Sequence, residues 1–254
     1  MTVVTWNANS IRARLERFLR WIREHQPDVV ALQELKAQDT DFPWQNLADL
    51  GYAAAVFGQK TYNGVAIVAR SPITGPLRGI PDGIADADAR WISGTTNGVR
   101  VISAYFPNGQ ETKSDKYAYK LTWIRRLRDW LCADGLREPT VLCGDFNIVS
   151  DALDAAHPDQ WEGSVLFNNE VCGLFRELLD AGLVDVFRQK HPEGRLYSWW
   201  DYRALSFPKN DGLRLDYILA TPDLAARCED AWVDRDQRKG EKPSDHAPVW
   251  ANFR

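Results

Sequence analysis

A chain of 254 residues, 44% hydrophobic and 26% charged, can bury a sizeable core, fits one large α/β domain over 1–254 better than two halves, and excludes a disordered or fibrous protein. A net charge of -4 excludes a protein that holds nucleic acid mainly through its overall field, unless acids gather around a cation while lysines and arginines line one face. The apolar runs, such as Val29-Val30-Ala31-Leu32, fall far short of a membrane span and the first residues enter a strand pattern at once, so a cytoplasmic protein without a signal peptide is expected.

Val3-Val4-Thr5-Trp6 is a short β-rich run. Asn9-Ser10 then reads as the cap of a helix that puts Ile11, Leu15, Phe18, Leu19 and Ile22 on one face, with Arg12, Arg14, Arg17, Arg20 and Arg23 on solvated positions. Pro27-Asp28 stops that helix, and residues 28–33 read as a buried strand. Further strands are expected over residues 52–57, 64–69, 90–95 and 99–106, the last two as a hairpin because Thr96-Asn97-Gly98 lies between them. A second amphipathic helix is expected over 116–131, an apolar strand over 139–143 and a third helix over 170–181. Strands over 213–220, 231–234 and 248–253 close the chain. The four cysteines, Cys132, Cys143, Cys172 and Cys228, have no close spacing and read as reduced structural thiols. Strands outnumber helices and many neighbours can pair antiparallel, which suits two packed mixed sheets with helices outside.

Polar residues recur where these apolar strands end: Asn7, Glu34, Asp145 and Asn147, with Asp216 inside the strand expected over 213–220. Desolvating an unpaired carboxylate is costly, so several such residues of acid or amide type point to a shared oxygen-ligand site for a hard cation. Glu34 is the first candidate metal ligand, with Lys36 close behind it to meet a phosphate; a helix-capping glutamate is the competing reading. Asn7 would hold the ion or orient Glu34, and alone it is equally a turn residue. In Gly144-Asp145-Phe146-Asn147 the two polar side chains stand at i and i+2, on one side of an extended segment. Asp145 suits proton transfer and Asn147 suits donation to a phosphoryl oxygen that gains charge, although an Asx turn explains the pair equally well. In Asp245-His246 neighbouring side chains face opposite ways, so the carboxylate that orients His246 comes from elsewhere, with Asp216 the candidate. The commonest nucleophilic-serine, nucleotide-loop and zinc-protease motifs do not occur.

Taken in order, Thr5-Trp6-Asn7, Leu32-Gln33-Glu34-Leu35-Lys36, Tyr62-Asn63-Gly64-Val65-Ala66, Tyr105-Phe106-Pro107-Asn108-Gly109, Gly144-Asp145-Phe146-Asn147, Ser198-Trp199-Trp200-Asp201-Tyr202-Arg203, Leu213-Arg214-Leu215-Asp216-Tyr217 and Ser244-Asp245-His246-Ala247-Pro248 resemble the motifs of the exonuclease III family of abasic-site endonucleases, in the DNase I-like endonuclease/exonuclease/phosphatase superfamily. The resemblance covers essentially the whole chain. It implies a four-layer α/β sandwich of two packed mixed sheets flanked by helices, with the site at one edge of the strands. It also implies Mg2+ or Mn2+ bound by Glu34 with Asn7 and Asp245, and a second ion position at Asp145, Asn147 and His246. His246 would pair with Asp216, Tyr105 would contact the phosphate, Asp145 would handle protons and Asn147 would stabilise charge. Trp199, Leu213 and Leu215 would form the apolar pocket for a flipped abasic sugar, with Asn108 beside the phosphate; plain strand core is the competing reading for the two leucines.

The activity so implied is hydrolysis of double-stranded DNA 5' to abasic sites and at blocked or ordinary 3' ends, leaving a 3'-hydroxyl, by a monomer without membrane contact. One stretch departs from the family: Leu166-Phe167-Asn168-Asn169-Glu170-Val171 replaces an aromatic-Leu/Thr-Pro-Glu-Glu/Gln-Arg run, which leaves open the balance among abasic cleavage, 3'-phosphate removal and exonuclease action. A phosphatase or sphingomyelinase of the same superfamily, acting on inositol phosphates or lipids, and a non-catalytic DNA-binding module are the alternatives.

Overall fold

The computed structural model describes residues 1–86 and 88–254. The apolar runs at the start of the chain form β1 (Thr2–Asn7), β2 (Val29–Gln33), β3 (Ala53–Phe57) and β4 (Val65–Ala69). Next come β5 (Thr74–Arg78), β6 (Trp91–Thr96), β7 (Val99–Tyr105) and β8 (Thr140–Asp145). The chain ends with β9 (Val184–Asp185), β10 (Asp216–Ala220), β11 (Cys228–Val233) and β12 (Val249–Phe253). They make two mixed six-stranded sheets, ordered β11-β12-β1-β2-β4-β3 and β5-β6-β7-β8-β10-β9. β1 pairs parallel with β2, and β7 parallel with β8; the other ladders are antiparallel.

The helices are α1 (Leu15–His25), α2 (Trp44–Ala48), α3 (Asp115–Trp130), α4 (Pro158–Trp161) and α5 (Asn169–Asp180), followed by shorter turns of helix. Alternate strand residues divide between the faces, as a period of two requires. Val3, Val29, Ala31 and Ile67 meet Val101, Val141, Cys143 and Ile218 between the sheets. Val4, Trp6 and Val30 face outward onto Phe18, Trp21 and Ile22 of α1. On the far side Ile102, Leu142 and Tyr217 pack against α3 and α5 through Ile124, Leu127, Leu174 and Phe175. The result is the expected four layers, helix, sheet, sheet, helix.

The hairpin between β6 and β7 forms as expected, with Asn97 and Gly98 both at positive φ, 52° and 73°. Several elements differ from expectation, among them the unforeseen α2 and β9 and a β11 that begins at Cys228 and not Ala231. α1 starts at Leu15, not Ile11, because the backbone N–H groups of Ala8, Ser10 and Ile11 bond the carbonyls of Gln33, Glu34 and Leu35 and keep that segment alongside the end of β2. β10 starts at Asp216, since the Leu215 and Asp216 N–H groups go to the Ser198 hydroxyl and the Arg214 N–H to the Asp154 carbonyl. β5 was not expected: it is an exposed edge strand, Thr-Gly-Pro-Leu-Arg, with no apolar alternation to announce it. Gly144 is required where β8 passes β7, as a Cβ there would lie 1.8 Å from the Ala104 carbonyl oxygen.

Candidate active site

Strand ends deliver the polar residues to one edge of both sheets. Asn7 ends β1, Tyr105 ends β7 and Asp145 ends β8, while Asp216 begins the antiparallel β10 directly opposite Asp145. Tyr105 also stands opposite Asp145, across the parallel pair. Glu34 follows β2 at φ 54° and Asn147 follows β8 at φ 50°, so in both places the chain leaves its sheet through left-handed backbone. Asp245 and His246 arrive on the segment before β12, whose Ser244 hydroxyl donates to the Asn7 carbonyl and accepts from the His246 N–H.

Two hydrogen-bonded groups result. In the first, His246 Nδ1 lies 2.8 Å from Asp216 Oδ2 and its Nε2 lies 3.6 Å from Asp145 Oδ2. Asp145 accepts from the Asn7 amide at 2.9 Å and from the Asn147 N–H at 2.9 Å. Asn108 in turn donates to Asn147 Oδ1 at 2.9 Å. Burial raises the Asp145 pKa above the usual carboxylate range; the His246 charge opposes that shift and the Asp216 charge adds to it. Burial alone would neutralise His246, but the charges of Asp216 and Asp145 outweigh it and raise its pKa to about 10. In the second group Lys36 Nζ reaches Glu34 at 2.9 Å and Asn9 Oδ1 at 2.7 Å, and Asn9 donates to Asp245 at 2.9 Å. The Trp199 indole N–H takes the other Asp245 oxygen at 3.0 Å. Burial works against the Asp245 carboxylate, yet the His246 charge and the two donors hold its pKa below the ordinary range.

The expected set Asn7, Glu34 and Asp245 is therefore divided: Asn7 turns to Asp145, while Glu34 and Asp245 are joined through Lys36 and Asn9. Of the residues expected at a second ion, Asp145 and His246 converge with Asp216, their ligand atoms within 4.8 Å of one another, and Asn147 faces Asn108. This cluster fits a hard cation on its own chemistry. Two carboxylates are buried together, and Asp216 Oδ1 has no hydrogen-bond partner among the described residues. Tyr105 is half-buried beneath the Arg90 guanidinium, 5.2 Å from its ring; burial, followed by the charges of Glu34 and Asp145, pushes the phenol pKa well up.

Two hollows flank Asn108. One, of about 670 Å3, is lined by Trp199, Trp161, Val165 and Leu166, with Lys113 and Arg203 at its margin; the two indoles meet edge to face at 6.1 Å. The other, about 460 Å3, holds Tyr62, Arg90, Tyr105, Lys116 and Tyr119. Leu213 and Leu215 line neither; they are 1% and 3% exposed in the core, where Leu213 bonds Trp199 through both backbone groups. Leu166 of the divergent loop lines the larger hollow, and Asn168 caps α5 by accepting from Glu170 and Val171 N–H.

Asn9, Trp161, Ser198, Lys120 and Arg238 carried no signal as site residues. Arg238 is buried and donates to the carbonyls of Ser244 and Trp200, bracing the segments that hold His246 and Trp199. Lys120 is fully buried on α3; burial lowers its pKa to about 7, with the Asp145 charge opposing.

Facing sheets whose strand ends bring acids, amides and a histidine to one edge have the chemistry that phosphoester hydrolysis needs. The model of the Endonuclease/Exonuclease/phosphatase family matches residues 4–246, and the chain belongs to that family. Exodeoxyribonuclease III of Haemophilus influenzae is 36% identical over 267 residues, spanning both chains entirely. The Neisseria 3' phosphatase NExo, solved with a product DNA hairpin, superposes with a TM-score of 0.98 at 41% identity, covering 100% of this chain and 99% of the other. An AP endonuclease from Archaeoglobus fulgidus superposes at 0.96 with 36% identity and the same coverage. The chain is thus a nuclease of the exodeoxyribonuclease III kind, and none of its described helices is long and apolar enough to cross a membrane.

Proposed function

We propose that the chain hydrolyses phosphodiesters of double-stranded DNA at the P–O3' bond, 5' to abasic sites and at 3' ends, with Mg2+ as its cation. The relatives support this choice, since removing a 3'-phosphate, trimming a 3' end and incising 5' to an abasic site all free the same 3'-oxygen. One observation carries the mechanism: the buried chain Asp216–His246–Asp145 beside Asn147. Asp216 orients the His246 ring, whose raised pKa keeps it charged and able to donate to a phosphoryl oxygen at neutral pH. Asp145, with its raised pKa, accepts the proton of the attacking water, and Asn147 and Tyr105 donate to the oxygens that gain charge. Glu34, Asp245 and Asn7 would hold the cation, or Asp145 and Asp216 together with His246 in its neutral form, and when bound it would neutralise phosphoryl and leaving oxygens.

The larger hollow, walled by Trp161 and Trp199, offers apolar surface for a sugar without its base. Four free thiols support work in the reducing cytoplasm, and the chain acts as a monomer. The test is a side-by-side assay on abasic, 3'-phosphate and undamaged 3'-recessed duplexes with Mg2+, with Mn2+ and with chelator. Chelation should abolish every activity. If Glu34→Ala and His246→Asn each kept near wild-type incision in Mg2+, these roles would be withdrawn.

A further inference from the structure

Lys120 has no exposed surface and no carboxylate within salt-bridge reach among the described residues, and it meets three carbonyls that only its protonated amine can satisfy together, against the burial that lowers its pKa. Such a residue is expensive unless its N–H groups are all engaged. Its Nζ donates to three carbonyls: Asn147 at 2.7 Å, Val165 at 2.7 Å and Asn108 at 3.1 Å. Each acceptor belongs to a different segment of the site. Asn108 lies after β7, Asn147 after β8, and Val165 lines the aromatic hollow ahead of α5. The lysine stem reaches them past Gly109, at φ +97°, where a Cβ would come within 3.2 Å of Lys120 Cδ. Three N–H groups thus meet three loop carbonyls, and no two of those loops are neighbours in sequence.

We infer that Lys120 is the positioning residue for the Asn108–Asn147 pair, fixing from beneath the two amides that face the phosphate. This rests on the reading that Asn147 donates to the phosphoryl group in the transition state. Without the ammonium, the three carbonyls are left buried and unpaired, and the loops must shift to find other donors. A shift of about 1 Å at a transition-state donor costs on the order of 100-fold in rate. The effect falls mainly on the chemical step, because Trp161 and Trp199 of the larger hollow and the exposed cations Lys116 and Arg203 lie outside the three segments whose carbonyls Lys120 holds.

The experiment measures kcat and KM on a 3'-phosphate duplex in Mg2+ for Lys120→Met, Lys120→Arg, Asn147→Ala and the Lys120→Met/Asn147→Ala double variant, each assayed well below its own midpoint of thermal unfolding. Lys120→Gln takes the place of Lys120→Met if the latter does not fold. The expected result is a fall in kcat of on the order of 100-fold for Lys120→Met with KM changed less than about threefold, partial recovery in Lys120→Arg, and little further loss when Lys120→Met is added to Asn147→Ala. Wild-type kcat in Lys120→Met alongside a crippled Asn147→Ala overturns the positioning role, as does a fully multiplicative loss in the double variant. Wild-type kcat in Asn147→Ala overturns instead the assignment of Asn147 on which the inference stands.

Discussion

Two buried ionic clusters lie two residues apart on the chain, one around Arg214 and one around Asp216. Arg214 bonds Asp154 through Nε at 2.6 Å and Nη2 at 2.9 Å, bonds Asp185 at 2.7 Å, and lies over the Tyr217 ring at 4.4 Å. Arg188 adds a second guanidinium on Asp154, and the Ser150 hydroxyl donates to its other oxygen. Two acids face two guanidiniums there, and burial's upward push on the Asp154 pKa is outweighed by Arg214, so its pKa falls. Around Asp216, two carboxylates share one imidazole, an oxygen is left without a partner, and the Asp145 pKa rises. A balanced and fully bonded cluster fixes backbone; an unbalanced one retains the capacity to take up a proton or a cation.

The sharpest way to break that contrast is to remove one cation from each side. His246→Asn should act mainly on catalysis, lowering kcat by about 100- to 10,000-fold, with a smaller loss of stability from Asp216 and Asp145 left without its charge; activity assays paired with thermal melts decide it. Arg214→Met should do the reverse, leaving Asp154 and Asp185 buried without their partner. A loss of about 3–5 kcal/mol is expected in urea denaturation, with folded protein keeping most of its kcat.

The clusters should also respond oppositely to pH. His246 has a folded pKa raised to about 10 from 6.5, so its stabilising contribution is full below 6.5 and is lost as pH rises through about 10. In chelator, the stability deficit of His246→Gln should therefore shrink between those values. Asp154 has a lowered folded pKa, so its contribution is full above its unfolded value of 3.8 and disappears as pH falls below that. The deficit of Asp154→Asn should be constant at neutral pH and close only in acid. The smallest effect is expected at Ser198, whose hydroxyl accepts the N–H groups of Leu215 and Asp216 between the clusters. Ser198→Ala should cost about 1–3 kcal/mol and a few-fold in kcat, read by the same melts and assays.

Much of this arrangement was visible in the residue order. Carboxylates and amides at the ends of apolar runs, Asn7, Glu34 and Asp145, marked the edge at which they gather, because a strand end is where a polar side chain can leave the core without losing the ladder. The pairing of His246 with Asp216 was approachable for the same reason, since alternation denied His246 its adjacent Asp245. The Asn9 bridge was hidden, because Asn9 reads as a helix cap and its partner Asp245 stands 236 positions away. Lys120 was hidden as well: on an amphipathic helix a lysine suggests solvent, and only tertiary packing places it under three loops. The resemblance placed Leu213 and Leu215 in a pocket, with strand core the competing reading, and both lie buried in the core, Leu213 paired with Trp199.

β1 sits between β2 and β12, so the strand that ends in Asn7 is flanked by neighbours from opposite ends of the sequence. While the chain is being synthesised, Asn7, Glu34, Tyr105 and Asp145 emerge long before the segment that brings Asp245 and His246. The cluster of Asp145, Asp216 and His246 is therefore incomplete until the segment before β12 has taken its place beside β1.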